Sequence, residues 1–262
     1  MKIKVRNLQI NYELSGKQDA AVVILSHSLG CNLNMWDPQV DSLESRFRVL
    51  RYDTRGHGGS DAPKAPYTLE QLVEDAVGLM DVLNIDAAHW IGLSMGGMIG
   101  QGVALSYPGR LKSLVLSDTG AIMPDEAQPI WDKRINEARE GGMEARIQET
   151  FEDWFTPEFL KENPAVLEKI RQQLLSTPVA GYIGCIEAFR RINYINQLSK
   201  IKIPTLIIVG EKDFGTPVEA SRAMYERIPN SRLVILPSAA HLSNIEQPQA
   251  FQEALLSFLE RQ

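Results

Sequence analysis

Ala21-Val22-Val23-Ile24-Leu25 is an unbroken apolar run closed by the polar stretch Ser26-His27-Ser28. A strand with no polar face must be buried on both sides, which calls for helices above and below its sheet. The signature recurs at His89-Trp90-Ile91-Gly92-Leu93, at Leu111 to Leu116, at Thr205-Leu206-Ile207-Ile208-Val209 and at Leu233-Val234-Ile235-Leu236. Leu8 to Leu14 alternates like a half-buried strand, and Phe47 to Tyr52 is a further strand that stops at the glycine-rich loop Asp53 to Ser60.

Helix-period segments separate these runs. Leu69, Leu72, Val73, Ala76, Val77, Met80 and Leu83 fall on one helical face, and Thr68 with Gln71 reads as a capping box at its start. Met95 to Ser106 is a small-residue helix, and Ile245 to Leu259 is the last one. Thr216-Pro217-Val218-Glu219 reads as a helix start with Thr216 as cap, Pro217 in the first turn and Glu219 completing a box. Strand and helix in alternation predict an α/β fold with a mostly parallel sheet and crossover helices on both faces.

From Gly120 to about Gln197 the alternation stops. Helical stretches occur around Trp131–Glu140, Met143–Phe155, Ala165–Leu175 and Gly181–Ile192, with no strand among them. The expected organisation is a core domain of residues 1–119 and 198–262 interrupted by a helical cap, or lid, of residues 120–197.

Composition narrows the functional classes. A formal net charge of −6 with no Lys/Arg cluster argues against a nucleic-acid surface. Two cysteines, Cys31 and Cys185, are too few for a disulfide scaffold and fit a reducing compartment. No signal-peptide core opens the chain and no apolar stretch reaches membrane-spanning length, so a cytoplasmic protein without a membrane partner is expected.

The chemistry starts at Gly92-Leu93-Ser94-Met95-Gly96, a G-x-S-x-G sequence between an apolar strand and a helix. A sharp strand-to-helix turn lifts the serine hydroxyl above the carboxyl end of the sheet, and the glycines remove Cβ atoms that would collide there. The helix behind it points its N-terminus at the reaction centre, where negative charge develops. Ser94 is therefore the candidate nucleophile.

A serine hydroxyl needs a base. Of the four histidines, His27, His57 and His89 read as loop-fixing or structural, and His241, after the last strand, is the candidate base. Asp213, after the penultimate strand, is the candidate acid that orients it and gives the chain order Ser, Asp, His. Its competitors are Asp118, which opens the insertion and reads as a cap of its first turn, and Glu211. The oxyanion hole is expected from the backbone N–H groups of Met95 and Leu29, the latter in the loop His27-Ser28-Leu29-Gly30. Losing one such donor typically costs about 3 kcal/mol of transition-state stabilisation.

Over essentially its whole length the chain resembles the α/β-hydrolase superfamily. Within it, HSLG followed by NMWDPQV, then FRVLRYDTRGHGGSDAP, PYTLEQLVEDAVGLMDVL, GLSMGGMIGQ and HLSNIEQP are similar to the 3-oxoadipate enol-lactonases of aromatic-compound catabolism. Many superfamily members have HG where this chain has His27-Ser28, and HSLG suits the lactonase branch. The resemblance implies hydrolysis of a small enol lactone bearing a carboxylate, through an acyl-enzyme on Ser94, with no metal or organic cofactor.

A small anionic substrate wants apolar walls and a cationic anchor. The insertion offers Trp131, Trp154 and Phe155 as walls and Arg134, Arg190 and Arg191 as charges, with Trp131 and Arg134 on one helix face. A carboxylesterase, another lactonase and a carbon–carbon bond hydrolase of ring-cleavage products use the same triad and stay open. So does a small-molecule receptor built on the hydrolase fold. A haloalkane dehalogenase is disfavoured, because it needs an aspartate nucleophile where Ser94 stands.

Overall fold

The computed structural model describes all residues, 1–262. The chain runs β1 (Lys2–Val5), β2 (Leu8–Gly16), β3 (Val22–Ser26), α1 (Asp37–Glu44), β4 (Arg48–Tyr52), α2 (Leu69–Val82), β5 (Ala88–Leu93), α3 (Met95–Ser106) and β6 (Leu111–Ser117). It then leaves the sheet for α4 (Gln128–Gly141), α5 (Ile147–Trp154), α6 (Pro157–Glu162), α7 (Pro164–Ser176) and α8 (Val179–Phe189). It returns with β7 (Thr205–Gly210), α9 (Val218–Tyr225), β8 (Ser231–Leu236), α10 (Ser243–Glu246) and α11 (Pro248–Leu259).

The eight strands form one sheet in the order β1-β2-β4-β3-β5-β6-β7-β8. β1 and β2 pair antiparallel, β2 meets β4 antiparallel, and every pairing from β4 to β8 is parallel. Strands β5 and β7 are buried at every residue, so helices cover both sheet faces, as their continuous apolar runs require. The fold is that of an α/β hydrolase.

Two local readings of the sequence meet different fates. At α2 the Thr68 side chain accepts from Gln71 N–H at 3.2 Å and Gln71 Oε1 accepts from Thr68 N–H at 3.1 Å, which closes the expected capping box. At α9 the expected cap does not form: the helix begins at Val218 after Pro217, with no side-chain cap. Thr216 instead turns its hydroxyl to Asp213, as described below. The sheet also gains β1 ahead of β2, an edge strand whose Lys2 and Lys4 face solvent and whose Val5 is buried. Lysine on an edge discourages pairing with another chain, and it also hides the strand from an apolar-run reading.

In a parallel sheet the carboxyl ends of all strands share one edge, and loops there form the usual site of an α/β protein. Leu29, Ser94, Asp118, Asp213 and His241 follow β3, β5, β6, β7 and β8 respectively, all on that edge. No helix is long and apolar enough to cross a membrane.

Candidate active site

Ser94 stands at the head of α3 with φ 54° and ψ −115°, a conformation that side chains rarely adopt. The surroundings hold it there. Ser94 N–H donates to Ser117 O at 2.9 Å, and Thr119 Oγ1 donates to Ser94 O at 2.7 Å. The two flanking glycines are sterically required. A Cβ on Gly92 would lie 2.1 Å from Gly96 O, and one on Gly96 would lie 2.1 Å from Ser26 O at the end of β3. The serine is thus pressed between two neighbouring strands with its hydroxyl free of protein partners.

Behind it, His241 Nδ1 donates to Asp213 Oδ2 at 2.9 Å. The Asp213 side chain is fully buried, and its oxygens also accept from Gly215 N–H and Thr216 N–H, each at 2.9 Å, and from Thr216 Oγ1 at 2.7 Å. A buried carboxylate with this many donors has its lone pairs satisfied by the protein. The bond to Nδ1 assigns the proton to that nitrogen and leaves His241 Nε2 without a protein partner, available to take a proton.

Burial alone would lower the His241 pKa. The charge and hydrogen bond of Asp213, with a further contribution from Asp118, outweigh it, and the net shift is upward although Arg134 opposes it. Asp118 does not cap the insertion. Its carboxylate is fully buried, Oδ2 accepts from Ser117 Oγ and Ser243 Oγ at 2.7 and 2.5 Å, and Oδ1 accepts from Gly210 N–H at 2.8 Å. Burial, then the negative charge of Asp213, pushes Asp118 well above the usual carboxylate range. Asp118 therefore ties together the roots of the Asp213 and His241 loops. Glu211, the other competitor, is exposed at the surface and accepts only from Ser238 N–H at 3.3 Å.

The loop after β3 is held from several sides. Gly30, at φ 76°, donates its N–H to His57 Nε2 at 2.9 Å, and its carbonyl accepts from Thr177 Oγ1 at 3.2 Å. His27 Nδ1 donates to Ser28 O at 2.7 Å while its Nε2 accepts from Thr54 N–H at 2.9 Å. Leu29 N–H, between these anchors, donates to no protein acceptor, and Met95 N–H is one of the first-turn donors that a helix leaves unpaired. Burial, reinforced by the charge of His27, pushes His57 down to about 3, and burial likewise lowers His27. Both rings are neutral acceptors at ordinary pH. His89 is a core residue whose Nδ1 meets Ser113 Oγ at 2.8 Å.

The helices between β6 and β7 meet these loops at defined points. Trp154 O accepts from Leu242 N–H at 3.1 Å, and the Trp154 ring tip lies 3.7 Å from where a Gly30 Cβ would stand. Trp154 therefore bridges the loop after β3 and the loop of His241. Phe155 next to it is buried and stacked on Phe159. The Arg134 guanidinium lies 4.7 Å over the Trp131 ring and pairs with Asp153 at 2.5 Å, while its Nε is buried without an acceptor. Trp131 packs edge-on against Phe189.

Arg190 is committed elsewhere. It pairs with Asp132 at 2.8 Å and Glu187 at 3.3 Å, bonds Gln128, and lines a hollow of about 510 Å³ with Arg191 that includes no residue of the Ser94, Asp213 and His241 group. Thr216 is the contributor that sequence reasoning did not assign to the site; Asp118, weighed there as the acid, instead braces the two loops, and His57, read as loop-fixing, accepts from Gly30 N–H. A signal for Thr216 exists in Asp213-Phe214-Gly215-Thr216, since an aspartate followed by a glycine turn can collect the next hydroxyl.

Comparison with known proteins agrees with this architecture. Residues 21–248 match the family model described as alpha/beta hydrolase fold. The chain is 38% identical to 3-oxoadipate enol-lactonase 2 of Acinetobacter baylyi, over 99% of this chain and 96% of that protein. It superposes on the crystal structure of the enol-lactonase from Burkholderia xenovorans LB400 with a TM-score of 0.96 at 38% identity, covering 99% of this chain and 100% of that one. It is also 29% identical to a protein of Pantoea ananatis named provisionally as the carbamate hydrolase RutD, over 96% of this chain and 93% of that protein.

Proposed function

The chain belongs to the 3-oxoadipate enol-lactonase family of the α/β hydrolases, enzymes that cleave lactones and esters, and on that premise we propose that it hydrolyses 3-oxoadipate enol-lactone itself through Ser94, Asp213 and His241. The observation that carries the residue assignment is the Asp213–His241 hydrogen bond of 2.9 Å, which leaves Nε2 unbonded on the sheet edge that also presents the strained Ser94.

Ser94 Oγ attacks the lactone carbonyl carbon as His241 Nε2 takes the hydroxyl proton. The carbonyl electron pair moves onto oxygen, where the N–H groups of Leu29 and Met95 receive it and the α3 dipole favours it. Collapse re-forms the carbonyl and breaks the ring C–O bond. The departing enol oxygen takes the proton back from His241, and the opened chain stays joined to Ser94 as an ester. Water then attacks that ester while His241 takes its proton. The second collapse releases a carboxylic acid and returns the proton to Ser94 Oγ. Tautomerisation of the enol yields the keto acid. Asp213 holds the imidazole through Nδ1 and stabilises the imidazolium in both halves.

Residues 120–197 act as the cap over this edge. Trp154 forms part of the wall, and Arg134, with a buried Nε lacking an acceptor and a charge that His241 senses, is the anchor for the substrate carboxylate. The test is kcat/KM on the enol lactone beside p-nitrophenyl acetate and a small carbamate, with Ser94→Ala as control. Preference for the lactone by several orders of magnitude supports the reading. Equal or better use of the neutral ester or the carbamate defeats the substrate assignment, and activity retained in Ser94→Ala defeats the nucleophile.

A further inference from the structure

Glu246 lies at the carboxyl end of α10, buried, and takes no direct part in the chemistry described above. Both of its carboxylate oxygens are committed, each to a different part of the molecule. Oε2 accepts from the N–H of Ala240, the residue before His241, at 2.7 Å. Oε1 accepts from Thr156 N–H at 2.9 Å and from Thr156 Oγ1. Thr156 is the N-cap of α6, in the cap, and it is as buried as Glu246. One rigid planar group therefore joins the cap to the peptide that carries the candidate base. The Leu242 N–H bond to Trp154 O, at 3.1 Å, ties the other side of His241 to the same stretch of cap.

We propose that Glu246 is a positioning residue that couples the seating of the cap to the placement of the His241 imidazole. The cap is held on both sides of the base, at Ala240 through Glu246 and at Leu242 directly, so a shift of Thr156 is transmitted to the backbone on which the imidazole is mounted. Glu246 and Thr156 are largely buried beside an open hollow of about 760 Å³, and three hydrogen bonds on one carboxylate make the linkage stiff. The consequence is that the cap contributes to turnover even for a substrate too small to need its walls. This inference rests on His241 being the base.

The test uses p-nitrophenyl acetate, with kcat expressed per active site titrated by a fluorophosphonate and with Tm recorded for each variant. Thr156→Val keeps the backbone bond and removes the hydroxyl. Glu246→Gln must turn its amide N–H groups toward either Ala240 N–H or Thr156 N–H, two of its three donors, and so lose that partner. Displacements of about 1 Å in a catalytic group can cost up to about a hundredfold, so the expected losses in kcat are roughly three- to tenfold for Thr156→Val and about tenfold or more for Glu246→Gln. KM should stay within about twofold, and Thr156→Ser should restore turnover because the hydroxyl returns. Wild-type kcat per site in Thr156→Val, or a loss confined to KM or Tm, overturns the coupling. If Glu246→Gln does not fold, Thr156→Val against Thr156→Ser decides alone. His241→Gln keeps the two readings apart: undiminished turnover there refutes the base, whereas a dead His241→Gln beside unaltered Thr156→Val and Glu246→Gln refutes only the coupling.

Discussion

Thr216 Oγ1 donates to Asp213 Oδ2 at 2.7 Å, on the same oxygen that receives the His241 Nδ1 proton at 2.9 Å. The hydroxyl and the imidazole lie 3.4 Å apart and share one acceptor. Thr216 therefore fixes the rotation of the carboxylate that in turn fixes the ring, and it does so in place of capping α9.

Removing that hydroxyl in Thr216→Val leaves a buried carboxylate short of one donor. A hydrogen bond to a carboxylate contributes about 1.5–3 kcal/mol, so kcat should fall roughly ten- to a hundredfold with KM little changed. Thr216→Ser should recover most of the loss. Unaltered kcat in the valine variant would show that the two backbone donors, Gly215 and Thr216 N–H, suffice to orient Asp213.

The pH profile carries a second prediction. The base works only with Nε2 unprotonated, and the balance of burial, Asp213, Asp118 and Arg134 raises the His241 pKa above 6.5. The acid limb of kcat/KM should accordingly lie above the range of an ordinary histidine. Asp118 adds to that rise, but its own pKa is pushed up to about 7, so its charge is only partly present there and Asp118→Asn should move the limb to lower pH by a small amount. A limb that stays in place or moves upward in this variant would contradict the electrostatic role given to Asp118.

Acid stability should depend on the histidine that clamps the loop after β3. His57 accepts a hydrogen bond from Gly30 N–H and is held near 3 by burial, against 6.5 for an ordinary imidazole. A depressed folded pKa gives stability that is present above 6.5 and lost as the pH falls toward 3. Urea unfolding across that interval should show a progressive loss of stability in the wild type. His57→Gln, which keeps an acceptor and cannot titrate, should show a shallower slope; identical slopes would mean that other groups govern the acid transition.

Substrate charge is read most directly at Arg134. Its loss in Arg134→Gln should lower kcat/KM for a carboxylate-bearing lactone at least about tenfold more than for p-nitrophenyl acetate, as expected for a buried charge-assisted contact. Arg190→Gln should change the ratio little, because Arg190 lines a hollow that includes none of Ser94, Asp213 and His241. Equal losses on both substrates in the Arg134 variant would place that residue in support of the cap and not in recognition.

Much of this protein follows from short-range pattern. Ala21 to Leu25 and Thr205 to Val209 are apolar without interruption because they lie inside a two-faced parallel sheet, and that property is written into consecutive residues. Ser94 between Gly92 and Gly96 is equally local, since the clashes the glycines avoid arise within the turn and at the adjoining strand end. The chain order Ser94, Asp213, His241 then places three groups at the carboxyl ends of β5, β7 and β8. By contrast, Lys2 to Val5 pairs as a strand although its lysines mask the apolar signal. Thr216 does not cap α9, whose N-cap position falls at Pro217, and its hydroxyl is instead drawn to the buried Asp213 carboxylate. Asp118 joins Gly210 to Ser243, and Glu246 joins Ala240 to Thr156, across separations in sequence of up to 125 residues. Such partners are chosen by which loops converge and which polar atoms burial forbids to stay alone, and neither condition exists until the sheet has brought its strand ends together.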